Sequence, residues 1–273
     1  MTARQSHEGP RTLSGRSGPP RGSPPALWAA LFSGWEAQQV ASSPHRDRRL
    51  DAIVDVVEAA LPRRARVLDL GAGPGPLAAR ILDRCPGFRV VAVDVDPVVL
   101  RIGREHLGDR GGRLTWVRAD LARPGWASAL PRGRFDAAVS STALHWLRRR
   151  ELPALYGGLA TALRPGGLFL DGDHLPWQDA RLDALARRIA VRRRRRAGRG
   201  AWGVAWERWW QRAARRPELR AEFEERRRRF ASSHPVEERV PLEAHLRALR
   251  RAGFASADIV WQEFGDRVLL AVR

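Results

Sequence analysis

The chain has few of the residues that build cross-linked or metal-bound scaffolds. Cys85 is the single cysteine among 273 residues, which excludes an internal disulfide and a thiolate cluster for structural zinc. No apolar run is long enough to span a bilayer, and the amino terminus has no hydrophobic signal segment. We therefore expect a cytoplasmic globular protein without a metal site or a membrane partner.

Lysine is also missing, so all 49 basic residues are arginine, and the formal net charge is +19. A charge of this size favours polyanionic partners such as nucleic acid or an anionic membrane. An all-arginine set in a chain rich in Ala and Gly is also what the coding bias of a GC-rich genome produces. We favour coding bias, which disfavours a nucleic-acid partner without excluding one.

Composition divides the chain into three parts. Residues 1–25 are rich in Arg, Gly, Ser and Pro, which predicts a disordered tail. Residues 26–273 are long enough for one large α/β domain. Inside this domain, residues 174–238 depart from the alternation of strand and helix and are predicted to form a helical insert.

A glycine-rich turn follows the first strongly apolar segment. Residues 67–70 (Val-Leu-Asp-Leu) are typical of a buried parallel strand. Gly71, Gly73 and Gly75 follow, and glycine permits positive φ and a close approach of a ligand to the backbone. The helix that begins near Pro76 would point free N–H groups at that ligand. An ordinary strand-to-helix turn would contain the same residues, so the turn alone decides nothing.

The next strand, residues 90–93, strengthens the ligand interpretation because it ends in Asp94, nineteen residues after Gly75. An acidic residue at about this distance is placed to bind a ribose diol. The G-x-G-x-G spacing differs from the dinucleotide pattern, and Asp69 lies just before the first glycine. These residues resemble motif I and the ribose-binding acid of class I S-adenosylmethionine-dependent methyltransferases. A nicotinamide-binding Rossmann domain is the weaker alternative.

Later segments extend the resemblance. Phe135–Ser141 resembles motif IV of that family, and the Leu-Arg-Pro-Gly-Gly sequence at residues 163–167 resembles the lead into its fifth strand. The resemblance covers residues 46–170 well and residues 240–273 moderately. It implies an α/β fold with a Rossmann-like seven-stranded sheet, mostly parallel with an antiparallel C-terminal strand, helices on both faces and a helical insert after strand five. The alternation of strand and helix independently favours parallel βαβ units.

The resemblance also implies S-adenosyl-L-methionine as cofactor and gives roles to particular residues. Asp69 would bind the methionyl ammonium, Asp94 the ribose hydroxyls and Asp120 the adenine amino group, although Asp120 also suits a loop or cap. Arg46 or Arg49 is a candidate for the methionyl carboxylate, against the more ordinary interpretation of exposed helical arginines. The predicted cofactor-binding residues are Asp69, Gly71, Ala72, Gly73, Asp94, Val95, Asp120, Leu121 and Ser140.

The methyl acceptor is predicted mainly by exclusion. Residues 140–143 (Ser-Ser-Thr-Ala) lack the Asn/Asp-Pro-Pro-aromatic motif that base amino-methyltransferases carry after strand four, and Cys85 lies in the wrong region for a cytosine C5 enzyme. We therefore expect an oxygen, carboxylate or nitrogen of a small molecule, and a monomer or homodimer. An RNA methyltransferase using the arginine-rich surface and a non-catalytic cofactor-binding protein are the alternatives.

Three polar residues follow strands four and five and are expected at the carboxyl edge of the sheet. They are His145, Asp173 and His174. Because histidine is the natural base near neutral pH, His145 or His174 is the candidate general base, with Asp173 orienting it or binding substrate. In the alternative, His145 packs beside Trp146 and His174 faces solvent.

Aromatic residues cluster in two helical regions. Trp28, Phe32 and Trp35 fall on one face of a helix predicted over residues 26–40, which indicates core packing or a flap over the cofactor. The tryptophans of the insert indicate either an acceptor-pocket wall or the core of a helical cap. These are Trp177, Trp202, Trp206, Trp209 and Trp210.

Overall fold

The computed structural model describes residues 25–43, 45–196, 202–231 and 238–273. The predicted disordered tail, residues 1–25, lies outside these ranges except for Pro25, which begins the first helix. The side chains of Ser42 and Trp202 also lie outside the described part.

From residue 66 to residue 174 the described residues alternate strands with helices or short 3₁₀ turns, as predicted. The helices are α1 (Pro25–Ser42), α2 (Arg46–Ala60), α3 (Pro76–Arg84), α4 (Pro97–Leu107), α5 (Leu152–Ala162), α6 (Ala180–Arg196), α7 (Trp202–Ala214), α8 (Arg220–Phe230) and α9 (Leu242–Arg251). The strands are β1 (Arg66–Leu70), β2 (Arg89–Asp94), β3 (Leu114–Arg118), β4 (Phe135–Ser141), β5 (Leu163–His174), β6 (Ser256–Glu263) and β7 (Asp266–Val272).

The seven strands form one sheet in the order β3-β2-β1-β4-β5-β7-β6. Strands β1 to β5 are parallel, and β7 is antiparallel to both β5 and β6. The predicted fold class is therefore confirmed. Because β1 lies between β2 and β4, the carboxyl ends of these three strands meet at one edge, where ligands bind in open α/β sheets.

Helices cover both faces of the sheet, which explains why β1 has apolar residues on both of its faces. Val67 packs with Leu50 and Ile81 in the cluster beneath α2 and α3. Leu68 packs on the opposite face with Leu155 of α5. Side chains alternate along a strand, so Asp69 shares the face of Val67 and lies under α2 and α3.

The fifth strand is longer than predicted. We expected Leu168–Leu170, but β5 runs from Leu163 to His174 and α5 ends at Ala162. Pairing with β7 from Leu168 to His174 extends the strand at its carboxyl end. At its amino end, Leu163 pairs with Phe135 of β4 on the far side of the Pro-Gly-Gly segment, where the register shifts. Both pairings join distant parts of the chain, so the local turn signal of Pro-Gly-Gly does not predict the full length of β5.

In its described part, the insert consists of α6, α7 and α8 with a short 3₁₀ turn before α8. Helix α7 packs against α1, and α8 packs against α4. No helix among the described residues is long and apolar enough to cross a membrane.

Candidate active site

The glycine turn follows β1 at the carboxyl edge of the sheet, and neighbouring side chains pack against it on two sides. Gly71 and Gly73 have φ of 64° and 57°, which glycine adopts without strain. A Cβ added to Gly71 would lie 2.3 Å from the Cβ of Ala143, and one added to Gly73 would lie 3.4 Å from the Trp35 ring. The bare backbone of the turn therefore lies between the exit of β4 and the α1 helix.

Two buried carboxyl groups stand beside this turn. Asp69 is 1% exposed and its Oδ2 accepts the N–H of Ala78 at 3.0 Å. Asp94 accepts the N–H groups of Gly73 at 2.8 Å and Asp96 at 2.9 Å. Burial raises the pKa of Asp69 to about 7 and that of Asp94 to about 6. Both acids are thus placed to bind hydroxyl or ammonium donors of a ligand.

A small cavity joins the turn to α1 and α2. Asp69 and Arg46 both line it, so a carboxylate and a guanidinium face one space. That pair complements the ammonium and carboxylate of an amino-acid zwitterion. The cavity is also lined by Trp35, Gln39, Leu50, Gly71, Ala72, Gly73, Pro76, Leu77, Ser141 and Thr142.

Arg46 and Arg49 are not the exposed helical arginines of the ordinary interpretation, which is wrong. Arg46 is 4% exposed and forms an ion pair with Glu36 at 2.7 Å. Arg49 is fully buried, forms an ion pair with Asp266 of β7, and donates from Nη2 to Thr142 Oγ1 at 2.5 Å. Only Arg46 lines the cavity, while Arg49 ties α2 to β7 and to the β4 exit.

The predicted adenine-binding residues follow β3. The Asp120 carboxylate accepts the N–H of Ala122 at 3.1 Å and Arg123 Nε–H at 3.2 Å. Leu121 is buried in the core. Asp120 therefore occupies a local turn at the expected edge, and its contact with a cofactor stays a prediction.

Two further predicted cofactor-binding residues, Val95 and Ser140, would contact a ligand through their backbone atoms. Val95 follows Asp94 directly at the end of β2. Ser140 is fully buried and its hydroxyl donates to Leu70 O at 2.8 Å. The next residues, Ser141 and Thr142, line the cavity in its place.

His145 and Asp173 come together at the carboxyl ends of β4 and β5. His145 Nδ1 lies 2.8 and 3.0 Å from the two Asp173 oxygens. The backbone N–H groups of His145 and His174 donate to the same carboxylate at 3.1 and 2.7 Å. Because an ionised carboxylate can only accept hydrogen bonds, His145 Nδ1 must donate to Asp173. We therefore assign the Nδ1–H tautomer of His145, in which Nε2 carries the lone pair. The imidazole is 29% exposed, so part of the ring is open to solvent.

A second carboxyl group lies behind this pair. Asp171 is fully buried, and no described group hydrogen-bonds to its carboxyl oxygens. Burial and the nearby charge of Asp173 raise the pKa of Asp171 well above its ordinary value. Burial alone would raise the pKa of Asp173 too, but the charge and hydrogen bond of His145 hold it below its ordinary value. Near neutral pH the negative charge of the two acids therefore resides on Asp173, beside the imidazole.

His174 does not join this pair. Its side chain is 48% exposed, and its Nδ1 lies 3.8 Å from an Asp266 oxygen. Side chains alternate along β5, so His174 points to the face opposite Asp173. The structure thus brings together His145 and Asp173 and leaves His174 on the other side of the sheet.

The tryptophans of the insert pack against α1. Trp209 is 4% exposed and its indole donates to Leu31 O at 3.1 Å. Trp35 contacts Trp209 with ring centroids 4.9 Å apart, and Trp28, Leu31 and Trp209 share one buried cluster. This arrangement supports the cap-core interpretation rather than an acceptor-pocket wall. Trp177 lies apart and packs beneath the guanidinium of Arg267.

Comparison with known proteins agrees with the resemblance to methyltransferases. A family model described as "Methyltransferase domain" matches residues 67–167, which span the glycine turn, both buried acids and β4. The match supports the class I S-adenosylmethionine-dependent methyltransferase interpretation of these residues. S-adenosylmethionine is the cofactor of that family, which favours it over the nicotinamide alternative.

Individual relatives agree with this assignment. An uncharacterized methyltransferase of Mycobacterium tuberculosis is 38% identical over 124 residues, covering 45% of this chain and 54% of its own. The trans-aconitate 2-methyltransferase of Streptomyces avermitilis is 35% identical over 145 residues, half of each chain. The magnesium protoporphyrin IX methyltransferase of Synechocystis, solved with bound S-adenosylhomocysteine, shares the fold with a TM-score of 0.54 at 15% identity, covering 90% of this chain and 96% of its own. This chain spans about half the length of the curated relatives it matches.

From the two buried acids we predict a pH-dependent affinity for S-adenosylhomocysteine. Ribose hydroxyls would donate to Asp94 best when its carboxyl is ionised, and the pKa of the free group is about 6. Affinity for S-adenosylhomocysteine should therefore fall as pH drops from 7.5 to 5.5, by about fourfold through Asp94 alone. Asp69, with a pKa of about 7, would add to this loss. Calorimetric titration at both pH values measures the effect, and an affinity independent of pH in this window would contradict it.

Proposed function

We propose that this chain transfers the methyl group of S-adenosylmethionine to an oxygen or nitrogen of a small molecule. The observation that carries the proposal is the His145–Asp173 pair beside the glycine turn. The Streptomyces relative supports only the small size of the acceptor, because the trans-aconitate of its name has carboxylate oxygens and neither a hydroxyl nor an amine. A base is useful only where the acceptor must lose a proton, which favours a hydroxyl or amine over a carboxylate.

The position of the pair follows from its neighbours. Ala143 packs against the turn at Gly71, and Thr142 lines the cavity that Asp69 and Arg46 share. His145 follows in the next turn of the chain. The base is therefore carried by the segment that closes the methionyl side of the proposed cofactor site.

When bound, the cofactor supplies a methyl group on a positively charged sulfur. The chain's own residues would hold it at both ends: Asp69 and Arg46 at the amino acid, Asp94 at the ribose hydroxyls and Asp120 at the adenine. Alignment of donor and acceptor supplies much of the rate in such a transfer, because a bimolecular step becomes effectively unimolecular. This accounts for a site rich in binding groups.

His145 would handle the proton. Its Nε2 would accept the proton of an acceptor hydroxyl or amine as the methyl group is transferred. Asp173 stabilises the imidazolium that results and keeps the ring oriented through Nδ1. A carboxylate acceptor has no proton to lose and would leave His145 without this task.

The proposal is tested with a labelled methyl donor. Purified protein is incubated with methyl-labelled S-adenosylmethionine and fractionated cell extract, and label is followed into small molecules, protein and RNA. We expect label in a small-molecule fraction. Label in a ribonuclease-sensitive fraction would support the RNA alternative, and cofactor binding without transfer to any fraction would support a non-catalytic protein.

A further inference from the structure

The described helices of the insert reach the half of the sheet that holds β2 and β3. The insert begins after β5, its helix α7 packs on α1, and its helix α8 packs on α4. Because α4 follows β2, α8 lies on the β2–β3 side of the fold. We refer to residues 202–230, which are α7, α8 and the turn between them, as the strap.

The strap packs against Trp35, the residue whose ring faces the glycine turn. Trp35 is the aromatic neighbour of Gly73. Its ring is flanked by Trp206, Trp209 and Trp210 of α7, at centroid distances of 5.4, 4.9 and 6.1 Å. The position of Trp35 over the turn therefore depends on α7.

At the β2–β3 side, ion pairs fasten α8. Arg226 Nε donates to Asp96 Oδ2 at 2.6 Å, and its guanidinium lies 4.1 Å from the centroid of the Trp210 ring. Arg118, the last residue of β3, pairs with Glu225. Each of these two pairs is partly shielded from solvent. They connect the strap to the two strands that end in the proposed ribose and adenine subsites.

A short chain of hydrogen bonds runs from α8 to the glycine turn. Arg226 donates to the Asp96 side chain, the Asp96 N–H donates to Asp94 Oδ1, and the Gly73 N–H donates to Asp94 Oδ2. Asp96 also caps α4 by accepting the N–H of Val98. Movement of α8 would thus disturb the carboxylate proposed to hold the ribose.

We propose that the strap is the outer wall of the cofactor site and that the Arg118–Glu225 and Arg226–Asp96 ion pairs set how long the cofactor stays bound. The inference rests on the proposed cofactor site at the glycine turn. The insert then serves cofactor retention in addition to any contact with the acceptor. Cofactor exchange requires α8 to lift from α4.

The test measures dissociation of S-adenosylhomocysteine from the full-length chain by stopped-flow tryptophan fluorescence. Glu225→Arg and Arg118→Glu each place like charges in contact, and we expect either change to raise the dissociation rate about five- to tenfold. Glu225 also pairs with Arg229 at 3.6 Å, so the polarity swap is made in an Arg229→Gln background. There, Arg118→Glu combined with Glu225→Arg restores the pair with reversed polarity and should return the rate to within about twofold of Arg229→Gln alone. Restoration separates the ion pair from general damage to β3.

Asp83→Arg is the matched control, because it reverses a similar pair with Arg110 at the opposite edge of the sheet and should leave the rate unchanged. If a reversal variant fails to fold, Glu225→Gln replaces it, and its dissociation rate should respond less to 0.5 M KCl than that of wild type. Rates within twofold of wild type in folded Glu225→Arg and Arg118→Glu would overturn the inference. Failure of wild type to bind S-adenosylhomocysteine would overturn the proposed function, and this inference with it.

Discussion

Replacing His145 with alanine should lower the turnover number by about 10²- to 10⁴-fold, the usual contribution of a positioned general base. The expectation follows from the partly exposed His145 ring, in which Asp173 holds Nδ1 and the assigned tautomer leaves the lone pair on Nε2. Binding of S-adenosylhomocysteine should change little, since none of the proposed cofactor contacts involves the imidazole. The measurement is initial-rate kinetics at saturating cofactor with the acceptor found by the labelling screen.

Asp173→Asn should cause a loss of similar order, because an amide cannot stabilise the imidazolium and disturbs the tautomer. His174→Ala is the matched control, since this half-exposed histidine lies on the other face of β5, and it should keep turnover within a few-fold of wild type. If His145→Ala also keeps turnover within a few-fold, there is no base. Catalysis would then rest on proximity, which favours a carboxylate acceptor.

Loss of Arg49 should destabilise the fold more than any other single charge change considered. Arg49→Met leaves Asp266 buried at 7% side-chain exposure without its cation, and breaking one partner of a buried pair costs about 3–5 kcal/mol. Ser43 Oγ, at 3.3 Å from Asp266, supplies only a neutral hydrogen bond, and His174 Nδ1 lies beyond hydrogen-bond distance at 3.8 Å. Urea unfolding followed by circular dichroism gives the free energy of unfolding.

Two further variants isolate the buried charge as the cause. Arg80→Met removes a half-exposed cation that pairs with Asp47 and Asp51 on the surface and should cost about 1 kcal/mol or less. Arg49→Met/Asp266→Leu removes both buried charges and should recover much of the lost stability. A double variant as unstable as Arg49→Met would contradict the electrostatic explanation and indicate lost packing around α2.

The local part of the proposed cofactor site was predictable from the sequence. The strand at residues 67–70, the glycine turn and Asp94 at the end of β2 lie where their patterns indicate. Each signal spans a few residues, because a buried strand needs an apolar run and positive φ needs glycine. Parallel pairing of β1 with β2 then brings the two acids to one edge without further information.

Contacts between residues far apart in the sequence were not predictable in the same way. Arg49 sits in an amphipathic helix among other arginines, and nothing nearby marks it as buried. Its partner Asp266 is 217 residues away, in a Gly-Asp hairpin turn that predicts only a turn. A buried charge is tolerated where a partner is supplied, and that partner is a property of the folded topology.

The tryptophans of the insert show a similar limit. Trp206, Trp209 and Trp210 have the spacing of one helix face, so a buried face on α7 was predictable. The surface that this face covers was not, since its partner Trp35 is near the start of the chain. The assignment of the strap to the cofactor side rather than the acceptor side came only with the packing of α7 and α8 on α1 and α4.

The central claim is that the glycine turn and Asp94 form an S-adenosylmethionine site. Calorimetric titration of wild type and Asp94→Ala with S-adenosylmethionine, and of wild type with NAD, tests it most directly. The account predicts one site for S-adenosylmethionine, no NAD binding, and an affinity in Asp94→Ala that is weaker by about 1–3 kcal/mol through loss of the charge-assisted hydrogen bonds to ribose. A preference for NAD, or an unchanged affinity in a folded Asp94→Ala protein, would contradict it.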